Sequence, residues 1–204
     1  VRSSATAEDS SSAAWAGQLD SYLNTTKESL LENVKKCWAS LFTPRAVFYR
    51  FEKKLDKSKI SVAVVVQKMV NSKESGIAFS VHPVTEDRNQ ILIEACFGLG
   101  EMIVSGQITP DSYVVDKEMN IVEKQDSYKK KEMIRNSAGK NEIRELDEEE
   151  GSKTVLNDSE IVELAKIVLN IEKHYGFPCD IEWARENKKF YIVQSRPITT
   201  LSQK

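Results

Sequence analysis

The sequence predicts an α+β domain in which helices flank a central, mostly antiparallel sheet. β-Branched stretches at 61–70, 76–81 and 90–95 are typical of neighbouring buried strands. Apolar residues recur every three or four positions over 26–54 and 161–171, as they do on the buried faces of helices. The chain closes with two short strands joined by a polar turn, which indicates an antiparallel hairpin.

Length and charge limit what the protein binds. The chain has 204 residues, of which 40% are hydrophobic, enough for one large domain or two small ones. Lysine and arginine total 29 against 31 for aspartate and glutamate, a formal net charge of −2. This balance argues against general affinity for nucleic acid or anionic membranes, which both attract basic surfaces. An anionic ligand must therefore be bound by local arginines.

Apolar runs and cysteine spacing give information on the compartment and on cross-links. The longest apolar run, 60–66, is interrupted by Ser61 and is too short to cross a bilayer, and no signal segment opens the chain. We therefore expect a cytoplasmic protein. Cys37, Cys96 and Cys179 are widely spaced without a CxxC pattern, so we expect neither a disulfide framework nor a structural zinc site.

The first third of the chain combines a loop, two helices and a strand. The chain begins at Val1 as though in the middle of a strand, which indicates a piece of a longer protein, and residues 3–12 have the composition of a mobile polar loop. The periodicity of 26–54 predicts two helices broken at Thr43–Pro44. The nearly continuous apolar stretch 61–70 predicts a strand buried on both faces, in one sheet with the two strands that follow.

The middle of the chain is rich in glycine and then in charge. Three glycines between 96 and 108 would let the backbone come close to a ligand, although such a turn is a weak signal by itself. Residues 112–116 and 120–125 predict a strand and its hairpin partner. Residues 127–151 are dominated by charged side chains, so we expect a solvated excursion at the edge of the sheet.

A helix and a hairpin complete the chain. Asp158-Ser159-Glu160 predicts the cap of a helix that ends near Gly176. Two strands, 179–185 and 190–196, are then joined by a polar turn at 186–189.

This hairpin gathers the polar side chains with the clearest chemistry. Side chains alternate along a strand, so Asp180 and Glu182 point to one face, and Gln194 and Arg196 share a face of the next strand. If the hairpin turns about Lys188, Glu182 lies opposite Gln194 and Asp180 opposite Arg196. Two carboxylates, an amide oxygen and a guanidinium would then share one patch.

The residue pattern leaves two interpretations of this patch open. Magnesium binds carboxylate and amide oxygens and completes its coordination with water and phosphate oxygens, while arginine binds phosphate through two donors. The patch therefore has the groups of a magnesium–nucleotide site. Alternatively, Asp180 and Arg196 form a structural ion pair on an edge strand, and Glu182 and Gln194 are merely exposed.

Two long motifs resemble one known family. Residues 1–9 with Ala16-Gly17-Gln18 resemble the phosphate-clamp stretch of phosphoenolpyruvate synthases, pyruvate phosphate dikinase and rifampicin phosphotransferase. The closing segment of the same ATP-binding domain is similar to Asp180-Ile181-Glu182-Trp183 and Val193-Gln194-Ser195-Arg196-Pro197. Between them, Ile93-Glu94-Ala95 and Gly98-Leu99-Gly100-Glu101 also match, so the resemblance covers nearly the whole chain.

The resemblance implies an ATP-grasp fold, in which two lobes close on ATP. The chain would form one ATP-grasp-type domain over 1–204, a partial domain of a larger multidomain enzyme. Within it, 1–55 would contain the phosphate-clamp loop and helices, and 56–204 would form a sheet lobe that ends in the 179–196 hairpin.

The resemblance also implies roles for residues in the first part of the chain. Arg2 matches an arginine that contacts the phosphates and is a candidate catalytic residue. Gly17 and Ser21 fall where a loop approaches the nucleotide through its backbone and a hydroxyl group. Gln67 and Met69 lie in a stretch similar to the hinge that reads the adenine edge with main-chain groups.

In the closing hairpin, Glu182 and Gln194 match ligands of magnesium and nucleotide. Arg196 matches a second phosphate-binding arginine and is the other candidate catalytic residue. Asp180 matches an acidic nucleotide-site position beside them, and Glu94 is expected to line the site. The implied cofactors are ATP and Mg²⁺.

The implied reaction needs parts beyond this chain. In the resembled family, a histidine on a swivelling domain accepts the β-phosphoryl group of ATP and passes a phosphoryl group to pyruvate or to an antibiotic, leaving AMP and phosphate. Neither His82 nor His174 sits in that histidine motif. The expected partners are therefore the N-terminal lobe with its phosphate-binding lysine, the swivelling domain and the acceptor-binding domain. The fragment alone should be inactive.

Three functions follow from the resemblance. The first is the ATP-binding module of a phosphoenolpyruvate synthase-like enzyme (pyruvate, water dikinase). The second is the same module of a rifampicin-type antibiotic phosphotransferase, and the third is a nucleotide-binding module without catalysis. Retention of Arg2, Glu182, Gln194 and Arg196 argues against the third.

Overall fold

The computed structural model describes residues 1–5, 17–55 and 59–202. The chain forms two compact units, Val1–Met69 (unit 1) and Val70–Lys204 (unit 2). The combination of helices with antiparallel sheets confirms the predicted α+β class. Within the described ranges, no helix is both long and apolar enough to span a membrane.

Unit 1 contains a two-stranded sheet and two helices. Strand β1 (Arg2–Ala5) pairs antiparallel with β2 (Val62–Val65). Helix α1 (Leu30–Ala39) leads through a 3₁₀ turn (Ser40–Phe42) into α2 (Pro44–Glu52). The Thr43 side chain caps α2 by accepting a hydrogen bond from the Ala46 backbone, so the predicted break at Thr43–Pro44 is confirmed.

The predicted position of the strand after these helices is wrong. β2 pairs with β1 and lies outside the sheet that contains the next two strands. Val65 and Val66 are 44% and 60% exposed, so the apolar stretch is not buried on both faces in this chain. A continuous apolar run does not by itself show which sheet a strand joins, because strand pairing depends on the whole topology.

Unit 2 is built on a six-stranded antiparallel sheet. Its spatial order is β10-β9-β3-β4-β5-β6. In chain order these strands are β3 (Glu74–Phe79), β4 (Gln90–Phe97), β5 (Asp111–Asp116), β6 (Ile121–Gln125), β9 (Cys179–Glu186) and β10 (Lys189–Pro197). The elements between β4 and β5 and after β6 are the short helix α3 (Glu101–Val104), strands β7 (Lys131–Arg135) and β8 (Asn141–Glu145), and the short helix α4 (Glu148–Gly151).

The long helix α5 (Asp158–Tyr175) covers one face of this sheet. Its apolar side packs on inward-facing residues of the central strands, among them Ile93, Ile181 and Trp183. The N-cap is Asn157, one residue before the predicted cap, and Asn157 and Glu160 form a reciprocal capping box. The helix ends at Gly176, where an end was predicted, and Gly176 adopts the left-handed conformation.

The glycine-rich segment after β4 is held by neighbouring backbone. Gly98 has a φ of +75°, and a Cβ at this position would lie 2.2 Å from the carbonyl oxygen of Met133 on β7. Ser72 and Ser75, both buried, donate to the Gly98 carbonyl over 2.9 and 2.7 Å. The close backbone approach at Gly98 is therefore to β7, which explains the glycine without a ligand.

The charged stretch 127–151 is not simply a solvated excursion. β7 and β8 form a hairpin, and Glu132 and Met133 on β7 are buried. Lys129 is fully buried and donates to Asp111 over 2.6 Å and to the carbonyl of Lys153 over 2.7 Å. The segment therefore folds back onto the start of β5.

Candidate functional site

The hairpin of β9 and β10 turns at Asn187 and Lys188. Both residues have positive φ angles, 52° and 61°, and Lys189 pairs with Glu186. A two-residue loop with positive φ at both central positions is the turn that best matches the twist of paired strands. The centre of the turn lies between these two residues, whereas the sequence predicts it at Lys188.

A β-bulge then changes the pairing. The register shifts between Ile192 and Gln194, so Val193 is the extra residue on β10. After the shift, Gln194 pairs with Glu182 and Arg196 pairs with Asp180. Both predicted pairs are thus present, although they arise from a different turn combined with a bulge.

These pairs extend into two rows across the sheet on the face opposite α5. In the first row, Glu94 on β4 lies opposite Ile77 on β3, which lies opposite Glu182. In the second row, Leu92, Phe79 and Asp180 follow in the same strand order. Directly opposed residues share a face, because side chains alternate along each strand. We call this surface the polar face, which comprises Ile77, Phe79, Leu92, Glu94, Asp180, Glu182, Gln194 and Arg196.

Asp180 and Arg196 are in direct contact. The Nε and Nη2 atoms of Arg196 donate to the same oxygen, Oδ2 of Asp180, over 2.9 and 2.7 Å. The side chain of Arg196 is 31% exposed and that of Asp180 is 14% exposed. The ion pair of the second interpretation therefore exists, and it lies in the same patch as Glu182 and Gln194.

Glu182 and Gln194 offer two oxygen donors of the kinds that magnesium takes. Their side chains, both half-buried, start from directly opposed positions and bring a carboxylate and an amide oxygen to the polar face. Among the described residues, no cluster of three or more His, Cys, Asp and Glu side chains could hold a metal. Magnesium at nucleotide sites commonly takes one or two protein oxygens and completes its shell with water and phosphate. The donor set present here fits that mode.

Glu94 contributes a third carboxylate to the polar face. Burial raises the pKa of this carboxyl group, and the nearby negative charge of Asp180 raises it further. Both effects disfavour the ionised form, which a nearby positive charge would favour.

The predicted site residues of unit 1 lie near its two-stranded sheet. Arg2 on β1 forms an isolated antiparallel bridge with Ser21, and it pairs with Val65 on its other side. The neighbouring Ser3 hydroxyl donates to the Asp20 carbonyl over 3.0 Å, which ties the two segments together. Arg2 and Ser21 are therefore brought together by the backbone.

The remaining predicted residues of unit 1 are Gly17, Gln67 and Met69. Gly17 is exposed and has a φ of +67°. Most of the motif between Arg2 and Gly17, residues 6–16, lies outside the described residues. Gln67 is exposed just after β2, and Met69 is the last residue of unit 1.

Sequence reasoning missed three residues that shape the polar face. Ile77 and Phe79, both half-buried, occupy the middle of the two rows, Ile77 between Glu94 and Glu182 and Phe79 between Leu92 and Asp180. The alternation of larger residues at 77 and 79 with Gly76 and Ala78 was the available signal. No sequence pattern marks Val193 as a bulge.

Known proteins resemble this chain over nearly its whole length. The family model described as "Pyruvate phosphate dikinase, AMP/ATP-binding domain" matches residues 1–204. A probable phosphoenolpyruvate synthase of Methanocaldococcus jannaschii is 49% identical over the whole chain, which spans 17% of that relative. One of Archaeoglobus fulgidus is 52% identical over 98% of the chain and 27% of the relative. A rifampicin phosphotransferase of Bacillus subtilis is 46% identical over 98% of the chain and 23% of the relative.

The chain therefore spans about a quarter or less of the curated relatives named here. The match to the family model, by contrast, extends from the first residue to the last. The chain belongs to the family of pyruvate phosphate dikinase AMP/ATP-binding domains.

Proposed function

We propose that this chain is the ATP-binding module of a dikinase-type enzyme that converts pyruvate, ATP and water to phosphoenolpyruvate, AMP and phosphate. The observation that carries the proposal is the polar face, on which one sheet presents three carboxylates, an amide and an arginine in adjacent rows. The phosphoenolpyruvate synthases among the relatives favour pyruvate as the acceptor.

The residues of unit 2 would hold the metal and the phosphates. Glu182 and Gln194 would hold Mg²⁺, which neutralises phosphate charge and orients the phosphoryl group when bound. Arg196 would bind phosphate oxygens through its planar donors. Glu94 would add negative charge beside the cation.

Unit 1 carries further nucleotide ligands implied by the resemblance. Arg2 would contact the phosphates, and Gly17 and Ser21 would approach them through backbone and hydroxyl groups. The peptide groups of Gln67 and Met69 would read the adenine edge. Phosphoryl transfer depends mainly on positioning and charge neutralisation, so these groups suffice without a general base in this module.

The phosphoryl acceptor would lie in another part of the enzyme. His82 accepts hydrogen bonds at Nδ1 from the backbone of Val84 and Thr85, which suits a turn residue. His174 lies in the last turn of α5, where a positive charge suits the helix dipole. A histidine of a swivelling domain would therefore take the β-phosphoryl group, and the isolated chain would bind nucleotide weakly and not turn over. Steady ATP hydrolysis by the 204-residue chain alone would contradict this.

The acceptor is tested with the full enzyme and radiolabelled ATP. With pyruvate, we expect phosphoenolpyruvate, AMP and phosphate in equal amounts. Phosphorylated rifampicin, formed in place of phosphoenolpyruvate, would favour the antibiotic phosphotransferase reading instead, which the relatives at 46–48% identity support. Binding of ATP without AMP formation with either acceptor would indicate a module without catalysis.

A further inference from the structure

The ion pair between Asp180 and Arg196 joins two residues of the proposed nucleotide site. Two of the five N–H donors of the guanidinium, on Nε and Nη2, bind Oδ2 of the carboxylate. The residues are direct partners on β9 and β10, so the strand pairing itself brings their side chains together.

Asp180 is the deeper member of the pair. Its side chain is 14% exposed, compared with 31% for Arg196. A ligand that approaches the polar face therefore meets the arginine more readily than the carboxylate. This order suits an anion, because the positive group is outermost.

The same hydrogen bonds argue against metal binding by this carboxylate oxygen. A cation at Oδ2 would replace two charge-assisted hydrogen bonds from Arg196 and would lie next to its positive charge. Glu182 and Gln194 lie in the neighbouring row, where they form an opposed pair of a carboxylate and an amide. The two rows therefore differ in chemistry.

We propose that Asp180 is a positioning residue, which fixes the guanidinium of Arg196 for a nucleotide phosphate and does not itself bind magnesium. The inference rests on the proposed function, because it takes Arg196 as a phosphate ligand. A long arginine side chain loses rotamer freedom when it binds, and a carboxylate that already holds it reduces that loss.

The test uses the full enzyme and a non-hydrolysable ATP analogue, titrated by calorimetry. Asp180→Asn keeps the shape of the side chain but removes its charge. We expect it to weaken analogue binding about three- to tenfold, as loss of one preorganised side chain would. In an Arg196→Gln background, Asp180→Asn should have no further effect, because the residue it positions is gone.

The magnesium requirement separates positioning from metal binding. The magnesium concentration for half-maximal analogue binding should stay unchanged in Asp180→Asn and rise in Glu182→Gln. Glu74→Gln is the matched control. It removes the ion pair between Glu74 on β3 and Arg185 on β9, which lies away from the polar face. This variant should bind like the wild type.

Three results would overturn the inference. The first is that Asp180→Asn weakens analogue binding equally with Arg196 present and in the Arg196→Gln background. The second is a raised magnesium requirement in Asp180→Asn. The third is tighter analogue binding when the carboxylate charge is removed. A wild-type enzyme that does not bind the analogue would instead show that the proposed nucleotide site is wrong, and the inference would fall with it.

Discussion

Lys129 and Asp111 form an ion pair whose two side chains are wholly inaccessible to solvent. Asp111 also accepts hydrogen bonds from the Tyr113 hydroxyl and from the backbone of Ser127 and Val155. Lys129 lies over the ring of Phe97 as well. These hydrogen bonds and the ring contact stabilise both charges and so offset the free-energy cost of burying the ion pair.

Removal of the lysine charge should therefore destabilise unit 2 strongly. Lys129→Met leaves Asp111 charged and buried, so we expect a loss of about 3–5 kcal/mol in the free energy of unfolding. Denaturant titration followed by circular dichroism measures it. Lys153→Met is the control, because its ion pair with Glu149 is exposed and is worth at most about 0.5 kcal/mol. Similar losses in the two variants would contradict this account.

The carboxyl group of Glu94 makes stability depend on pH. Its pKa is raised in the folded protein, mainly by burial, so the folded state holds this proton more tightly than the unfolded state. The stability that this tighter proton binding contributes to the fold is fully present below pH 4.5, the ordinary pKa of the group. It is lost as pH rises through the pKa of the folded state.

Glu94→Gln should consequently raise the melting temperature at pH 7 and leave it unchanged below about pH 4.5. The reason is that glutamine does not ionise, so at neutral pH the folded protein avoids the free-energy cost of a buried negative charge. Melting curves of both proteins across this range check the prediction. A variant that melts lower than the wild type at pH 7 would show that Glu94 stabilises the free protein.

At the scale of the element, the hairpin shows what the sequence reveals and what it does not. Alternation along two short strands placed Asp180 with Glu182 and Gln194 with Arg196, but their pairing was predicted from a turn at Lys188 and is present only because the actual turn is combined with a bulge. The turn and the bulge could not be predicted, because an extra residue such as Val193 leaves no mark in a hydrophobic pattern. The segment 61–70 shows the reverse case, since a strand was recognised and its sheet was not.

The bulge leads to a test by deletion. Without Val193, β10 can pair regularly while Gln194 still faces Glu182 and Arg196 still faces Asp180, so nucleotide binding should persist within about threefold. Without Ser195, either Gln194 or Arg196 must turn to the opposite face, so binding should fall at least about tenfold. Calorimetry on the full enzyme compares the two. Loss of binding in the Val193 deletion alone would contradict the assigned register.

At the scale of the whole molecule, the division of the chain falls directly after Met69. The expected adenine-reading residues Gln67 and Met69 therefore lie at the end of unit 1, and the polar face belongs to unit 2. The expected subdivision at residue 55 and the roles of the site residues remain predictions. The family was recognisable from sequence because its two motifs are long and occur in order, whereas hydrogen bonds such as those of Lys129 depend on tertiary contacts that no local pattern records.

The most direct test is whether the polar face binds magnesium and ATP. The measurement is a calorimetric titration of a non-hydrolysable ATP analogue with magnesium into the full enzyme. Glu182→Gln is compared with Glu186→Gln, a change at the far end of the same strand. We predict magnesium-dependent binding that weakens at least about tenfold in Glu182→Gln and is unchanged in Glu186→Gln. Equal binding by all three proteins, or no binding by any, would contradict the assignment of the polar face as the nucleotide site.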